Sequence, residues 1–318
     1  MPEMSALQIQ REALRQNNRL WLRRQLFQVL DYGLMIGLAC FFIFPIWIMV
    51  TSSVKPERWV QDDLNTINAF VPRHFTLENY TCPDYRVPDN ECRMPGIFEL
   101  VSFERVMFNS IFIVSTIVLI GIVVNSMAAY AIARLRWPGR RLVLLIIVAL
   151  IIIPFETVAI PLLLLVNQLP WLDGSISWVN SYHVQIIPFI ADAFSIFLFH
   201  QFFVGIPHDL DEAARVDGAS HWMIYRRIIV PLSRPVFATV AILQFLMHWG
   251  SFMWPLMVTQ GEQYRPLPIA MSILFSQQPI QWGDIMAFAS LVTLPVLFVF
   301  LLFQKWFVQS VASSGIKG

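Results

Sequence analysis

Two acids stand inside long apolar stretches of this 318-residue chain, Glu156 and Asp192, and His200, Gln244, His248 and Ser251 share such surroundings. An ionisable group in an apolar setting is costly, so it ordinarily faces a cavity or a partner. Two kinds of chemistry suit these residues. Along a wet path, Asp192, Gln244, Ser251 and Glu156 are able to hydrogen-bond the hydroxyls of a passing solute. As a pair, Glu156 and Asp192 could relay protons or ions in a secondary transporter. A structural reading stands beside both: Glu156 supports the kinks at Pro154 and Pro161, Asp192 pairs across a subunit interface, and His200, Gln244 and His248 bond neighbouring helices. Trp249, Phe252 and Trp254 suit stacking on a sugar ring, or simply mark a membrane interface. No nucleophile–base pair or metal-ligand spacing occurs among these groups, so neither a catalytic residue nor a metal site is expected.

A second grouping lies in the polar stretch Pro207–Pro231. It reads as two short helices. Asp209 is placed to cap the first, with Asp211 and Glu212 in the first turn, where the helix dipole favours anions. Gly218 supplies the stop, because it tolerates a left-handed conformation. Ser220 caps the second helix, Arg226 and Arg227 suit its C-terminal half, and Pro231 ends it. Ala213 and Ala214 allow close approach to another surface, Glu212 offers a charge to a basic partner, and Trp222 and Tyr225 provide anchoring bulk. Such a helix is able to act as a knob in a cleft, pushing the segments it joins. The plainer alternative is an amphipathic loop on a membrane surface.

The elements that position these groups follow from composition. Apolar residues make up 57% and charged residues 14%, against roughly 25% charged in soluble domains. A net charge of +1 gives no reason to expect a nucleic-acid partner. Six stretches reach the roughly 20 residues needed to cross a bilayer as helix: Tyr32–Thr51, Ser110–Ala133, Leu142–Val166, Val184–Val204, Val236–Val258 and Ile285–Phe307. Several contain proline, which membrane bundles tolerate when neighbours satisfy the freed carbonyls. The expected fold class is an all-α membrane protein of six transmembrane helices. The first stretch is too long for a signal peptide and lacks a small-x-small cleavage site, so it reads as a retained helix.

Basic residues set the orientation. Arg11, Arg15, Arg19, Arg23 and Arg24 precede the first span, and Arg134, Arg136, Arg140 and Arg141 follow the second. Arg215, Arg226, Arg227 and Arg234 lie between the fourth and fifth, with Lys305 and Lys317 at the end. The short connections on the opposite side hold only Arg265. Both termini are therefore expected in the cytoplasm, the Arg134–Arg141 cluster needing no other explanation. Residues 1–31 form a cytoplasmic N-terminal segment, 32–309 one transmembrane domain and 310–318 a cytoplasmic tail. Within the domain, 52–108 is an external loop and 205–234 a cytoplasmic loop. Cys82 and Cys92 lie in the external loop, where a disulfide is plausible and free thiols are the alternative; Cys40 is a small residue of the first span.

The spacing in the cytoplasmic loop resembles the signature of ABC importer permeases. Glu212-Ala213-Ala214, three residues, Gly218, nine residues, Ile228, one residue, and Val230-Pro231 matches it, with Val230 in place of leucine. The maltose-type carbohydrate subfamily is resembled by Phe75–Tyr80, Asn109-Ser110, Ala128–Arg134 with Gly139-Arg140, Ile160–Leu162, Ile196–Leu198 with Gln201–Phe203, Trp254–Leu256 and Gly315–Gly318. Trp249-Gly250-Ser251-Phe252 lacks the family's usual Asn, and the Cys82–Cys92 insertion is atypical. The resemblance implies a bacterial inner-membrane permease subunit that imports a carbohydrate, with glycerol phosphate and related polyols within the same family. It implies a second homologous permease, an ATPase dimer and an extracytoplasmic solute-binding protein as partners. It carries ATPase coupling onto Glu212, Ala213, Ala214, Asp217, Gly218, Trp222, Ile228 and Pro231. The chain has no Gly-x4-Gly-Lys-[Ser/Thr] loop, so no cofactor is expected on it, and ATP and Mg belong to the ATPase.

Overall fold

The computed structural model describes residues 6–63, 66–72, 74–82, 95–172 and 174–315, without the side chains of 6–24, 26 and 306–315. All regular elements among them are helical. α1 (Ala6–Ser53) runs unbroken for 48 residues, about 72 Å at 1.5 Å per residue. After it come α2 (Glu57–Asp62), α3 (Ile97–Leu100) and α4 (Phe103–Arg134). α5 (Arg140–Ile152), α6 (Phe155–Val166), α7 (Tyr182–Ile186), α8 (Ala193–Val204), α9 (Asp209–Val216), α10 (His221–Ile224) and α11 (Val230–Leu232) form the middle. α12 (Arg234–Trp249), α13 (Met253–Val258), α14 (Leu267–Phe275) and α15 (Trp282–Gly315) complete the chain.

Among the described residues, four helical stretches are long and apolar enough to cross a membrane, or up to six if each of two bent pairs counts as one span. The expected third span is not one helix: α5 and α6 meet at 102°. Pro154 has no N–H to donate and forces Ile153 to extended backbone (φ −77°, ψ 116°), so the chain turns there rather than kinks. Pro161, by contrast, sits inside α6. The expected fifth span also ends early, at Trp249, before α13 begins at Met253. The fourth is interrupted at 190–192, between a 3₁₀ turn (Ile187–Phe189) and α8. Its freed backbone groups are satisfied by one side chain: Asn125 Nδ2 donates to the Ile190 carbonyl at 3.0 Å, and Asn125 Oδ1 accepts from the Asp192 N–H at 3.0 Å. That is how a break survives among apolar helices.

α4 has no proline and no interruption. It packs on α8 and α12; α12 packs on α15, α15 on α1, and α5 on α8. One core gathers at the Phe103 end of α4, where Phe103, Val106 and Val114 meet Leu267, Ala270 and Leu274 of α14 and Phe288 of α15. α14 falls in a stretch expected as a simple connection, since nine residues cannot cross a bilayer. A second core forms at the Arg134 end, where Ala129, Tyr130 and Ile132 meet Phe199, Phe203, Ile224, Ile229 and Val240. The side chains of α1 from Phe27 to Phe44 are mostly exposed and apolar, the surface expected against lipid.

The segment after α1 is tied down by buried polar groups. Lys55 Nζ lies 3.2 Å from Asp63 Oδ2, and Asn79 Nδ2 donates to the carbonyls of Ser53 and Lys55 at 2.8 and 2.7 Å. Cys82 is buried and disulfide-bonded, Cys40 is a free thiol, and Cys92 lies outside the described residues.

Candidate functional site

The connection from Pro207 to Ser233 is built as two stacked pieces. α9 begins with His208 as its N-cap residue, not Asp209, and no side chain caps it. Asp209, Asp211 and Glu212 all fall in its first turn and meet the helix dipole instead. Its end is a Schellman motif: Gly218 N–H donates to the Arg215 carbonyl at 3.0 Å and Ala219 N–H to that of Ala214 at 2.9 Å, with Gly218 at φ 82°. Ser220 caps α10, its Oγ accepting from Met223 N–H at 3.3 Å.

Pro231 does not end the second helix as expected. It lies within α11, which a π turn (Tyr225–Ile229) precedes. Proline removes an N–H and its ring crowds the carbonyl four residues back, and a widened turn relieves both. The chain bends only afterwards, at buried Ser233, by 78° between the α10–α11 stretch and α12.

The two faces of this connection differ. Glu212, Ala213, Asp217, Gly218 and Pro231 are exposed, as are Val216 at 88% and Trp222 at 56%. Trp222 stacks on Tyr225 with ring centroids 5.4 Å apart. Ala214 and Ile228 are half-buried against the second core. Asp211, Ile224, Tyr225 and Ile229 are buried.

Polar ties hold the buried face to α4. Ser126, Tyr130 and Arg134 recur every four residues, so they form one row on that helix. Ser126 Oγ and Tyr225 Oη are 2.7 Å apart, and Tyr130 Oη donates to the His221 carbonyl at 3.1 Å. Arg134 Nη1 lies 3.1 Å from His208 Nδ1, and Nη2 donates to the Pro207 carbonyl at 3.4 Å. Its Nε sits 3.4 Å from Asp211 Oδ2, with the Arg134 side chain 0% and that of Asp211 4% exposed. The pair is Coulombic rather than a two-pronged fork, because among the described residues neither Arg134 Nε nor Asp211 Oδ1 has a hydrogen-bond partner. Arginine only donates, so His208 Nδ1 is the acceptor and its proton sits on Nε2. Sequence reasoning treated Arg134 only as an orientation signal. The row of Ser126, Tyr130 and Arg134 at four-residue spacing was the available clue.

The other candidates separate. Asp192 caps α8, its Oδ2 accepting from Ser195 N–H at 2.7 Å, and also accepts from Gln244 Nε2 at 2.8 Å. Gln244 Nε2 further donates to Ser195 Oγ at 2.7 Å, and its Oε1 meets His248 Nε2 at 2.9 Å. Asp192 and Gln244 thus join α8 to α12 within one subunit. Glu156 is exposed in the first turn of α6, and no hydrogen bond links it to Asp192 among the described residues. His200 was expected to bond a neighbouring helix, but its buried Nδ1 has no partner among those residues. Ser251 lines a small cavity with Gln185, His248, Trp249 and Trp254. Among the described residues, no group of three His, Cys, Asp or Glu side chains is placed to hold a metal ion.

An all-helical bundle with broken spans and a helical loop clamped to α4 defines a multi-span membrane protein. The chain belongs to the family described as binding-protein-dependent transport system inner membrane component, whose model matches residues 117–313. It is therefore a multi-pass protein of the inner membrane. Over 301 residues it is 29% identical to the arabinooligosaccharides transport system permease protein of Halalkalibacterium halodurans, covering 93% of this chain and 100% of that one. It is 32% identical over 300 residues to the trehalose transport system permease protein of Mycobacterium tuberculosis, covering 93% and 98%. A solved bacterial ABC transporter involved in the import of the acidic polysaccharide alginate shares the fold, with a TM-score of 0.68, 21% identity and coverage of 89% and 97%.

Proposed function

We propose that this chain is half of the translocation pore of an ATP-driven carbohydrate importer, paired with a second homologous permease and served by an extracytoplasmic solute-binding protein. The relatives named for arabinooligosaccharides and trehalose support a carbohydrate as the solute. The arginine distribution supports both termini and the Pro207–Ser233 connection lying in the cytoplasm. Residues 52–108 then face outward, with the disulfide-bonded Cys82 among them.

One observation carries the coupling role: Glu212, Ala213, Val216 and Trp222 are exposed on a loop whose opposite face is clamped from below. A rigid, exposed, partly apolar helix suits a cleft in an ATPase dimer that holds the ATP and Mg. Ile228 and Pro231 fix the base of this knob. For the solute path, Ser251 beside Trp249 and Trp254 is the best-placed group, because Asp192 and Gln244 already satisfy each other. Glu156 lies apart from both.

The test is co-purification of the ATPase with the native complex. Glu212→Lys and Gly218→Pro are expected to abolish uptake and weaken ATPase association while the chain still inserts. Normal association with both changes rejects the docking role.

A further inference from the structure

Resting on the docking role just proposed, we infer that α4 is the rod that carries the motion of the coupling loop across the membrane, and that Arg134 is the positioning residue that locks the loop to it. The loop is joined by sequence to α8 and α12, which would make those its obvious levers. Their geometry argues otherwise. The path from α8 to α9 is the short link Gly205–His208, and the stretch that ends in α8 is interrupted at 190–192, so that α8 itself is only 12 residues long. α12 is entered through the 78° bend at Ser233 and stops at Trp249. A bend or a break absorbs displacement that a continuous helix transmits.

α4 has neither defect. Its 32 residues span about 48 Å, and directional polar ties load both ends. At one end Ser126, Tyr130 and Arg134 hold Tyr225, His221 and Asp211. At the other, Asn109 Nδ2 donates to the carbonyls of Gln263 and Arg265 at 3.0 and 2.9 Å, and Ser110 Oγ accepts from Leu267 N–H at 2.7 Å. Tyr182 Oη fixes Asn109 in turn, donating to its Oδ1 at 2.7 Å. The exposed turn Gln260–Gln263 is thus attached to the coupling loop through one helix, although it lies far from α4 in sequence. A push at α9 moves that turn with it.

Of the ties, the one at Arg134 is hardest to replace. It engages Asp211, His208 and Pro207 at once, and it is buried. Removing either charge leaves the other uncompensated in a dry site.

Pulsed electron resonance on the full complex with its ATPase tests this without knowing the solute. In a Cys40→Ser background, spin labels at Val216→Cys and Gln260→Cys report on the rod, and labels at Val216→Cys and Trp47→Cys report on movement relative to α1. The expected result is a single Val216–Gln260 distance that does not change between nucleotide-free and ATP-bound, hydrolysis-blocked states, while the Val216–Trp47 distance shifts. Arg134→Met splits the Val216–Gln260 distance into two populations and Arg134→Lys restores one. Asp211→Asn gives a weaker split and decides the matter if Arg134→Met does not assemble. A Val216–Gln260 distance that shifts with ATP overturns the inference alone. An unchanged Val216–Trp47 distance overturns it together with the docking role, and an unsplit distance in both the Arg134 and Asp211 variants removes Arg134 from it.

Discussion

The carboxylate of Glu57 accepts the backbone N–H groups of Trp282 and Gly283, at 2.9 and 2.6 Å, so a residue just past the first long helix caps the last one. The first turn of any helix carries unsatisfied N–H groups and a partial positive charge. Here a distant carboxylate supplies what a local cap residue ordinarily does. Replacing it with Ala is expected to cost about 1 kcal/mol, and Glu57→Gln less. Thermal unfolding of the detergent-solubilised protein reads both; equal stability of Glu57→Ala and the native chain refutes the cap.

Beside that cap, Gly283 has no room for a side chain. A Cβ there would lie 2.5 Å from Asn79 Oδ1. Asn79 cannot retreat, since its Nδ2 is held by two carbonyls. Gly283→Ala should destabilise the protein by about 1–3 kcal/mol, and a companion Asn79→Ala should recover part of the loss. Additive losses in the pair would show that the two residues do not collide.

At Gly218 the argument runs the other way. A Cβ there meets nothing within 4 Å, so only the backbone at φ 82° objects. Gly218→Ala is expected to cost about 1 kcal/mol and Gly218→Asn less, because Asn tolerates that conformation. Protease nicking of the 205–234 loop is the readout. Equal resistance in Ala and Asn variants would contradict it.

Trp222 separates docking from folding. More than half exposed, it should be replaceable by Ala within about 0.5 kcal/mol of native stability. If it anchors the ATPase, the same change should cost about 2 kcal/mol of association, roughly thirtyfold in affinity. Titration of the purified ATPase against the reconstituted permease measures this, and unaltered affinity would remove Trp222 from the contact.

Between α8 and α12, Gln244→Met should lower stability by about 1 kcal/mol, in line with hydrogen bonds inside other membrane bundles. A double-mutant cycle with Asp192→Asn isolates the pair. A coupling energy near zero would mean that Asp192 is satisfied by Ser195 alone.

Much of this was legible in the residues. Apolar runs located four helices long and apolar enough to cross a membrane among the described residues, and Gly218 and Ser220 announced a helix stop and a helix start through their backbone and side-chain chemistry. Legibility failed where the answer depended on contacts remote in sequence. Pro154 and Pro161 look alike in the chain, yet one turns it and the other sits in a helix, because only packing decides which. The break at 190–192 rests on Asn125, and the buried pairing of Arg134 rests on Asp211; neither distance exists before the chain folds. α14 escaped notice for a simpler reason, being too short for a span and buried all the same.

The packing of α1 on α15 bears on how the protein is made. α1 leaves the ribosome long before α15, its main helical neighbour, and Glu57 waits for the same helix. Until α15 is made, most of α1 rests against lipid, which its apolar surface permits, and only its C-terminal end is held, by ties such as Asn79 Nδ2 to the Ser53 carbonyl. Truncation before α15 should therefore leave an inserted but unassembled chain, a ready target for membrane quality control.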